Sequence, residues 1–173
     1  MAVVRVPAFR ELYQDNAAFV WRSLRRLGVA PAHLEDACQE VFVVVHRKLA
    51  SFDGQSPRSW LFAIALRVAA DHRKRAFVRR EQATGDVEGE VVSAPQHAAV
   101  ERVQAREFLE KVLDELDDDK RAVFVLFELE GLGMNEIALA VGCPLQTAYS
   151  RLHAARRRVR ALVQQARLAG EWP

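Results

Sequence analysis

The side chains best suited to chemistry lie on the last predicted helix, and they suit binding better than catalysis. From about Pro144 onward, small and apolar residues recur at steps of three and four, and polar or basic residues fill the positions between them. Amide, hydroxyl and guanidinium groups on one helix face can hydrogen-bond base edges and hold phosphates. The set comprises Gln146, Tyr149, Ser150, His153, Arg157 and Arg160.

The elements that must position this face are two consecutive helices. A short helix is predicted over 134–141, and Gly142 suits the left-handed residue that ends it. The long helix that follows should bury Ala148, Leu152, Ala155, Val159 and Leu162. A short helix, a glycine turn and a helix with a basic outer face are typical of a helix-turn-helix. A helical hairpin with a solvated basic face is the alternative.

Catalytic and metal-binding patterns are missing from the sequence. The histidines (His33, His46, His72, His97 and His153) are scattered, without the spacing of a zinc motif. The two cysteines, Cys38 and Cys143, lie far apart in apolar surroundings, which predicts neither a disulfide framework nor a metal site. We therefore expect no enzyme activity and no cofactor.

The formal net charge is only +2, and the distribution of charged residues along the chain is more informative. Basic residues concentrate in 67–80 and 151–167, and acidic residues in 86–90 and 107–130. Two basic segments could meet a polyanion at two points, although two solvated helix faces would have the same pattern. No apolar run approaches the roughly 18 residues that a membrane span needs. We expect a soluble protein with no integral membrane segment.

Helical periodicity predicts an all-α fold with two small helical domains joined by a flexible linker. The first domain covers 1–80, with an apolar stripe that includes Phe9, Leu12 and Tyr13, and further helices opened by Pro31 and by Ser56-Pro57. An aperiodic, glycine- and glutamate-containing stretch predicts an acidic linker over 81–98. The second domain covers 99–173 and contains the helix-turn-helix.

The C-terminal half resembles a known family. Its segments 127–132 (FELEGL), 136–138 (EIA) and 147–153 (TAYSRLH) are similar to the C-terminal domain of extracytoplasmic-function (ECF) sigma factors. The resemblance implies that this domain binds the −35 promoter element. The residues implied in that contact are Gln146, Thr147, Tyr149, Ser150, Arg151, His153 and Arg157. Gln146, Tyr149 and Ala154 differ from the residues that are usual in the family at these positions. These differences leave the preferred bases open and do not affect the expected fold.

The N-terminal half resembles the same family, in the same order. Segment 35–42 (EDACQEVF) is similar to the part that grips the polymerase clamp, which implies polymerase-binding roles for Asp36, Gln39, Glu40 and Val43. Segments 59–65 (SWLFAIA) and 71–75 (DHRKR) are similar to the helix that reads and melts the −10 element. The residues implied in −10 binding are Phe52, Asp53, Gln55, Arg67, Arg73 and Lys74.

Within the −10 segment, one aromatic ring is expected to stack on a base flipped from the melted strand. Phe52 and Trp60 are the candidates, with Trp60 favoured as a core residue instead.

The resemblance implies an alternative sigma factor that binds core RNA polymerase and directs promoter recognition, promoter opening and initiation. Its expected partners are core RNA polymerase, promoter DNA and an anti-sigma factor. It implies a cytoplasmic protein, at the nucleoid when active, that an anti-sigma factor could hold at the membrane. A conventional helix-turn-helix transcription regulator is the alternative function.

Overall fold

A computed structural model describes residues 7–82 and 97–170, with side chains described for 7–78 and 103–170. Within these residues the fold is all-helical and contains no strand, which confirms the predicted class. The helices are α1 (Phe9–Arg26), α2 (Leu34–Lys48), α3 (Pro57–Gln82), α4 (His97–Asp114), α5 (Asp118–Phe124), α6 (Met134–Val141) and α7 (Leu145–Ala169). Most of the predicted linker, 83–96, lies outside the described residues, and the proposed domain limits stay a prediction.

The first domain consists of α1, α2 and α3, which pack against one another. Leu12 of the predicted stripe is buried, but Tyr13 is 48% exposed and lies at the edge of the domain. Pro31 opens a single 3₁₀ turn, Pro31–His33, and α2 itself begins at Leu34. Helical spacing therefore located the elements correctly but placed one edge residue inside the core.

The second domain packs α5 and α6 against α7. The start of α7 is held by Ala148, Leu152 and Ala155, which are almost fully buried, as their spacing predicts. Val159 and Leu162, further along the helix, are only partly buried. The second half of the long helix therefore extends beyond the densest part of the core.

Two glycine-linked turns set the geometry of the helix-turn-helix. Gly142 adopts φ +67° and ends α6, with its N–H directed to the carbonyls of Ala138 and Leu139, as the sequence predicts. At the other end of α6, the Glu136 side chain accepts a hydrogen bond from the Gly133 N–H at 3.2 Å. Because both ends of this helix have hydrogen-bond partners for their backbone groups, its limits are well defined.

The two domains also pack directly on each other through α3 and α6. Their buried apolar side chains form one continuous cluster that includes Phe62 and Val68 from the first domain and Met134 and Ile137 from the second. At this junction, Ser56 adopts φ +35°, a conformation that residues with a β-carbon rarely adopt. The two helical domains thus share one core in this structure.

The cap of α5 allows a test of the fold. Asp117 is the N-cap residue, and its Oδ1 accepts the Lys120 N–H at 2.9 Å. Hydrogen bonds from the Lys120 side chain and backbone lower the pKa of Asp117. We expect Asp117→Ala to reduce the free energy of unfolding by about 1 kcal/mol at pH 7, measured by chemical denaturation.

The acid dependence of this cap has a defined sign. Because the pKa is lower in the folded state, the stabilisation is present above the unfolded pKa of about 3.9 and is lost as the pH falls through the folded value. Asp117→Ser keeps a capping oxygen and should retain most of the stability without this acid-dependent loss. Equal stability of wild type and Asp117→Ala at pH 7 would contradict the assignment.

Candidate polymerase and nucleic-acid interfaces

The predicted polymerase-binding residues form a ridge along α2. Asp36, Gln39 and Val43 are exposed, and Val43 presents 49% of its surface although it is apolar. Gln39 and Val43 line two grooves at once, one of about 900 Å³ between α1 and α2 and one of about 1130 Å³ between α2 and α3. A polar ridge with an apolar centre between two grooves is suited to docking against helices of another protein.

Glu40, the fourth residue of this set, is held from α3. Its Oε1 lies 3.3 Å from Nη1 of Arg75 and its Oε2 lies 3.4 Å from Nε2 of His72. His72 is 8% exposed, so one partner is a core residue. The carboxylate of the ridge is thereby positioned before any partner arrives.

The loop before α3 presents a different aromatic arrangement from the expected one. Phe52 is 5% exposed, and its ring stacks on Trp60 at 4.5 Å between centroids. Trp60, which the sequence placed in the core, is only partly buried. A base that stacked here would therefore meet Trp60 more readily than Phe52. Nearby, the Asp53 side chain accepts the Gln55 N–H at 2.9 Å and shapes the loop, and Gln55 is exposed.

The basic residues of α3 divide into two groups. Arg67 and Lys74, seven positions apart on the same side of the helix, are exposed. Arg73 is partly buried, donates a hydrogen bond to the Leu27 carbonyl, and lies 2.8 Å from a carboxylate oxygen of Asp118 in the second domain. Burial lowers the pKa of Arg73, and the Asp118 carboxylate opposes this shift. In this structure Arg73 is engaged within the chain.

The outer face of α7 matches the predicted pattern of exposure. Gln146, Tyr149, Ser150, His153 and Arg157 are exposed, and Thr147 is partly buried. The Ser150 hydroxyl donates to the Gln146 carbonyl at 3.0 Å. Arg151 pairs with Asp119 at the start of α5, so this arginine braces the two helices. Most of the predicted −35 set thus shares one accessible face.

Sequence reasoning missed the residues that join the domains. Ser56 donates its hydroxyl hydrogen to the Glu136 carboxylate, and Ser59 donates to the Glu136 carbonyl at 2.8 Å. These partners are about 80 positions apart, and no local spacing relates them. Of these residues, only Glu136 could have been singled out from the sequence, because its position suits a capping role at the start of α6.

The fold and these faces define a two-domain helical protein with a helix-turn-helix and a separate exposed ridge on α2. Comparison with known families agrees: Sigma-70 region 2 matches residues 12–77, and Sigma-70, region 4 matches residues 106–168. The chain belongs to the sigma-70 family of RNA polymerase sigma factors, and within it to the ECF type.

The chain is also similar to individual proteins and solved structures. The chain is 29% identical over 169 residues to the ECF RNA polymerase sigma factor SigL of Mycobacterium tuberculosis, covering 95% of this chain and 93% of that protein. The fold is similar to RpoE of Bartonella quintana in complex with the anti-sigma factor NepR, with a TM-score of 0.72, 23% identity, and coverage of 90% and 96% of the two chains. It is also similar to CnrH in complex with the cytosolic domain of CnrY, with a TM-score of 0.67, 26% identity, and coverage of 91% and 88%.

Family membership decides between the two functions that the sequence left open. The protein is a sigma factor, which binds core RNA polymerase and directs it to promoters, and not a conventional helix-turn-helix regulator. Members of this family are not enzymes. Among the described residues, no helix is both long and apolar enough to cross a membrane.

Proposed function

We propose that the α2 ridge is the docking surface for core RNA polymerase and that the two domains divide promoter recognition between them. The 52–55 loop and the basic face of α3 would contact the −10 element, and the outer face of α7 would enter the major groove at the −35 element. The observation that supports this division most is the exposure of two chemically different faces, a polar and apolar ridge on α2 and a polar and basic face on α7.

The ridge residues suit a protein partner because they combine an apolar side chain with hydrogen-bonding groups. Val43 offers apolar surface that a partner could bury, and Gln39 beside it can both donate and accept hydrogen bonds. Glu40, held by Arg75 and His72, supplies a charge in a defined place. Such an arrangement gives specificity when the partner is complementary in charge.

The α7 face suits duplex DNA because its polar residues lie near the helix start and its arginine lies further along. In a helix-turn-helix, residues near the start of the second helix reach base edges. Gln146, Tyr149 and Ser150 hold that place here, and Arg157, two turns later, suits a phosphate contact. Arg151 would act by bracing α7 against α5 through Asp119 as well as by contacting DNA.

An anti-sigma factor is the expected regulatory partner, and the cytoplasm is the expected location. RpoE, which shares this fold, is solved in complex with the anti-sigma factor NepR, and CnrH, which also shares it, is solved in complex with the cytosolic domain of CnrY. The apolar groove between α1 and α2, with Tyr13 and Trp21 at its edge, gives this chain a surface that a partner could bury.

The docking proposal predicts that the double variant Gln39→Lys, Val43→Lys fails to direct transcription by core polymerase. The measurement is in vitro transcription of a promoter library on which the wild-type protein directs the same core polymerase. Each lysine would be desolvated without a partner at the interface. Both sites are exposed, so circular dichroism should show unchanged helicity. The control is Gln14→Lys with Asp15→Asn on exposed positions of α1, an equal change in charge, which should transcribe normally. Full activity of the Gln39 and Val43 variant would refute the docking surface.

The −35 proposal predicts that Gln146→Ala, Tyr149→Ala and Ser150→Ala change which upstream sequences the holoenzyme selects. A good base contact contributes about 1–3 kcal/mol of discrimination, so individual positions should lose preference by roughly tenfold or more. Arg157→Ala should instead weaken all sequences alike, because a phosphate contact reads no base. Gln164→Ala, exposed further along α7, is the control. An unchanged selection profile for the first three variants would place their side chains away from the bases.

The anti-sigma proposal predicts a partner that holds both domains. Pull-down of the full chain from its native cell should recover a protein other than polymerase subunits, and the same experiment with the chain cut near Gly89 should recover less of it. A partner that spans both domains binds the intact chain more tightly because its second contact is intramolecular. Recovery of polymerase subunits alone would count against a dedicated inhibitor.

A further inference from the structure

His72 is a polar residue in a buried row of α3. Ala65 and Val68, seven and four positions earlier on the same side of the helix, are 0% and 7% exposed. His72 continues this row and is itself 8% exposed. Because a buried polar side chain costs free energy unless it has a partner, the imidazole must be matched by a group on a neighbouring helix.

That group is the Glu40 carboxylate of the α2 ridge. Nε2 of His72 lies 3.4 Å from Oε2 of Glu40, and this nitrogen is buried and makes no hydrogen bond with any of the described residues. An ionised carboxylate can only accept hydrogen bonds, so the contact is attractive only when Nε2 carries a hydrogen. At this distance a small rotation of the Glu40 side chain completes the hydrogen bond.

The other charged groups around Glu40 make the contact with His72 important. Arg75, one turn later on α3, lies 3.3 Å from Oε1, but its side chain is 57% exposed and solvent screens this pair. Asp36, one turn before Glu40 on α2, is exposed and carries the same charge, which favours turning the Glu40 carboxylate away from the ridge. The ring of His33 lies 6.3 Å from that of His72 and adds a neighbour on the buried side. Of the two groups that α3 supplies to Glu40, His72 is the buried one.

A carboxylate that is held in advance binds a partner more tightly. Glutamate has a long side chain, and fixing it at an interface removes rotamer freedom, which weakens binding. The two contacts from α3 restrict Glu40 while the chain is free. Less freedom is then lost when polymerase docks.

We propose that His72 is a positioning residue for polymerase docking, and that the hydrogen on its Nε2 holds the Glu40 carboxylate in the orientation that polymerase binds. Its own side chain is 9% exposed and offers polymerase little surface. This role rests on the proposed docking function of Glu40. The helix proposed to read the −10 element thereby also sets the affinity of the neighbouring ridge for polymerase.

The test is a double-mutant cycle on the binding of the full-length chain to core polymerase. His72→Leu keeps a buried apolar side chain and removes the hydrogen-bond donor, whereas His72→Gln retains an N–H donor at the end of the side chain. Glu40→Ala removes the group that is positioned, and the fourth variant combines His72→Leu with Glu40→Ala. Affinity is measured by the fluorescence anisotropy of chains labelled at the N-terminus, and folding is checked by circular dichroism.

His72→Leu should weaken binding to core polymerase by about tenfold, because two groups in contact are energetically coupled. His72→Gln should stay within about threefold of wild type, since it restores a donor to Glu40. In the Glu40→Ala background, His72→Leu should have almost no further effect on binding. A general loss of folded chain would lower the affinity by the same factor in both backgrounds, so the ratio of the two factors isolates positioning from packing.

The positioning role is overturned if His72→Leu binds core polymerase as tightly as wild type, or if it weakens binding equally in both backgrounds. A His72→Gln variant as weak as His72→Leu would also overturn it. If Glu40→Ala by itself binds core polymerase like wild type, the proposed docking function of Glu40 fails, and the positioning role fails with it. The single Glu40→Ala variant therefore distinguishes the two failures.

Discussion

The contact between α3 and α6 is the constraint on which the rest of this structure depends. Helix α3 has buried residues at adjacent positions, such as Leu61 with Phe62 and Ile64 with Ala65, so one neighbouring surface cannot cover it. Helices α1 and α2 pack on it from within the first domain, and α6 packs on it from the second. Removing the second domain from this position would expose apolar surface, which costs free energy in proportion to its area.

The ion pairs between the domains then determine their relative orientation. Apolar contacts are non-directional, whereas pairs such as Arg26 with Glu130 and Arg73 with Asp118 require one orientation. The cost of taking a carboxylate such as Glu130 out of water is offset only when its partners are in place. An interface of this composition is specific and sensitive to salt.

The surfaces left outside this interface include the two that we propose for polymerase docking and for contact with the −35 element. The α2 ridge keeps Gln39 and Val43 accessible between two grooves, and α7 keeps Gln146 and Tyr149 accessible beyond its buried stripe. Arg73 is the exception, since the contact between the domains pairs it with Asp118.

Periodicity and turn chemistry were sufficient to predict the all-helical class and the helix-turn-helix. They also predicted the left-handed Gly142 and the buried stripe of α7 at Ala148 and Leu152. All these features depend on residues within one or two helical turns of each other. Long-range partners were not predictable in this way. The environment of Tyr13, whose ring lies 4.7 Å from that of Phe42, and the pairing of Arg73 with Asp118 depend on residues far along the chain. Only the tertiary structure decided them, since a side chain's environment is set by whichever distant surface packs against it, and no local spacing specifies that surface.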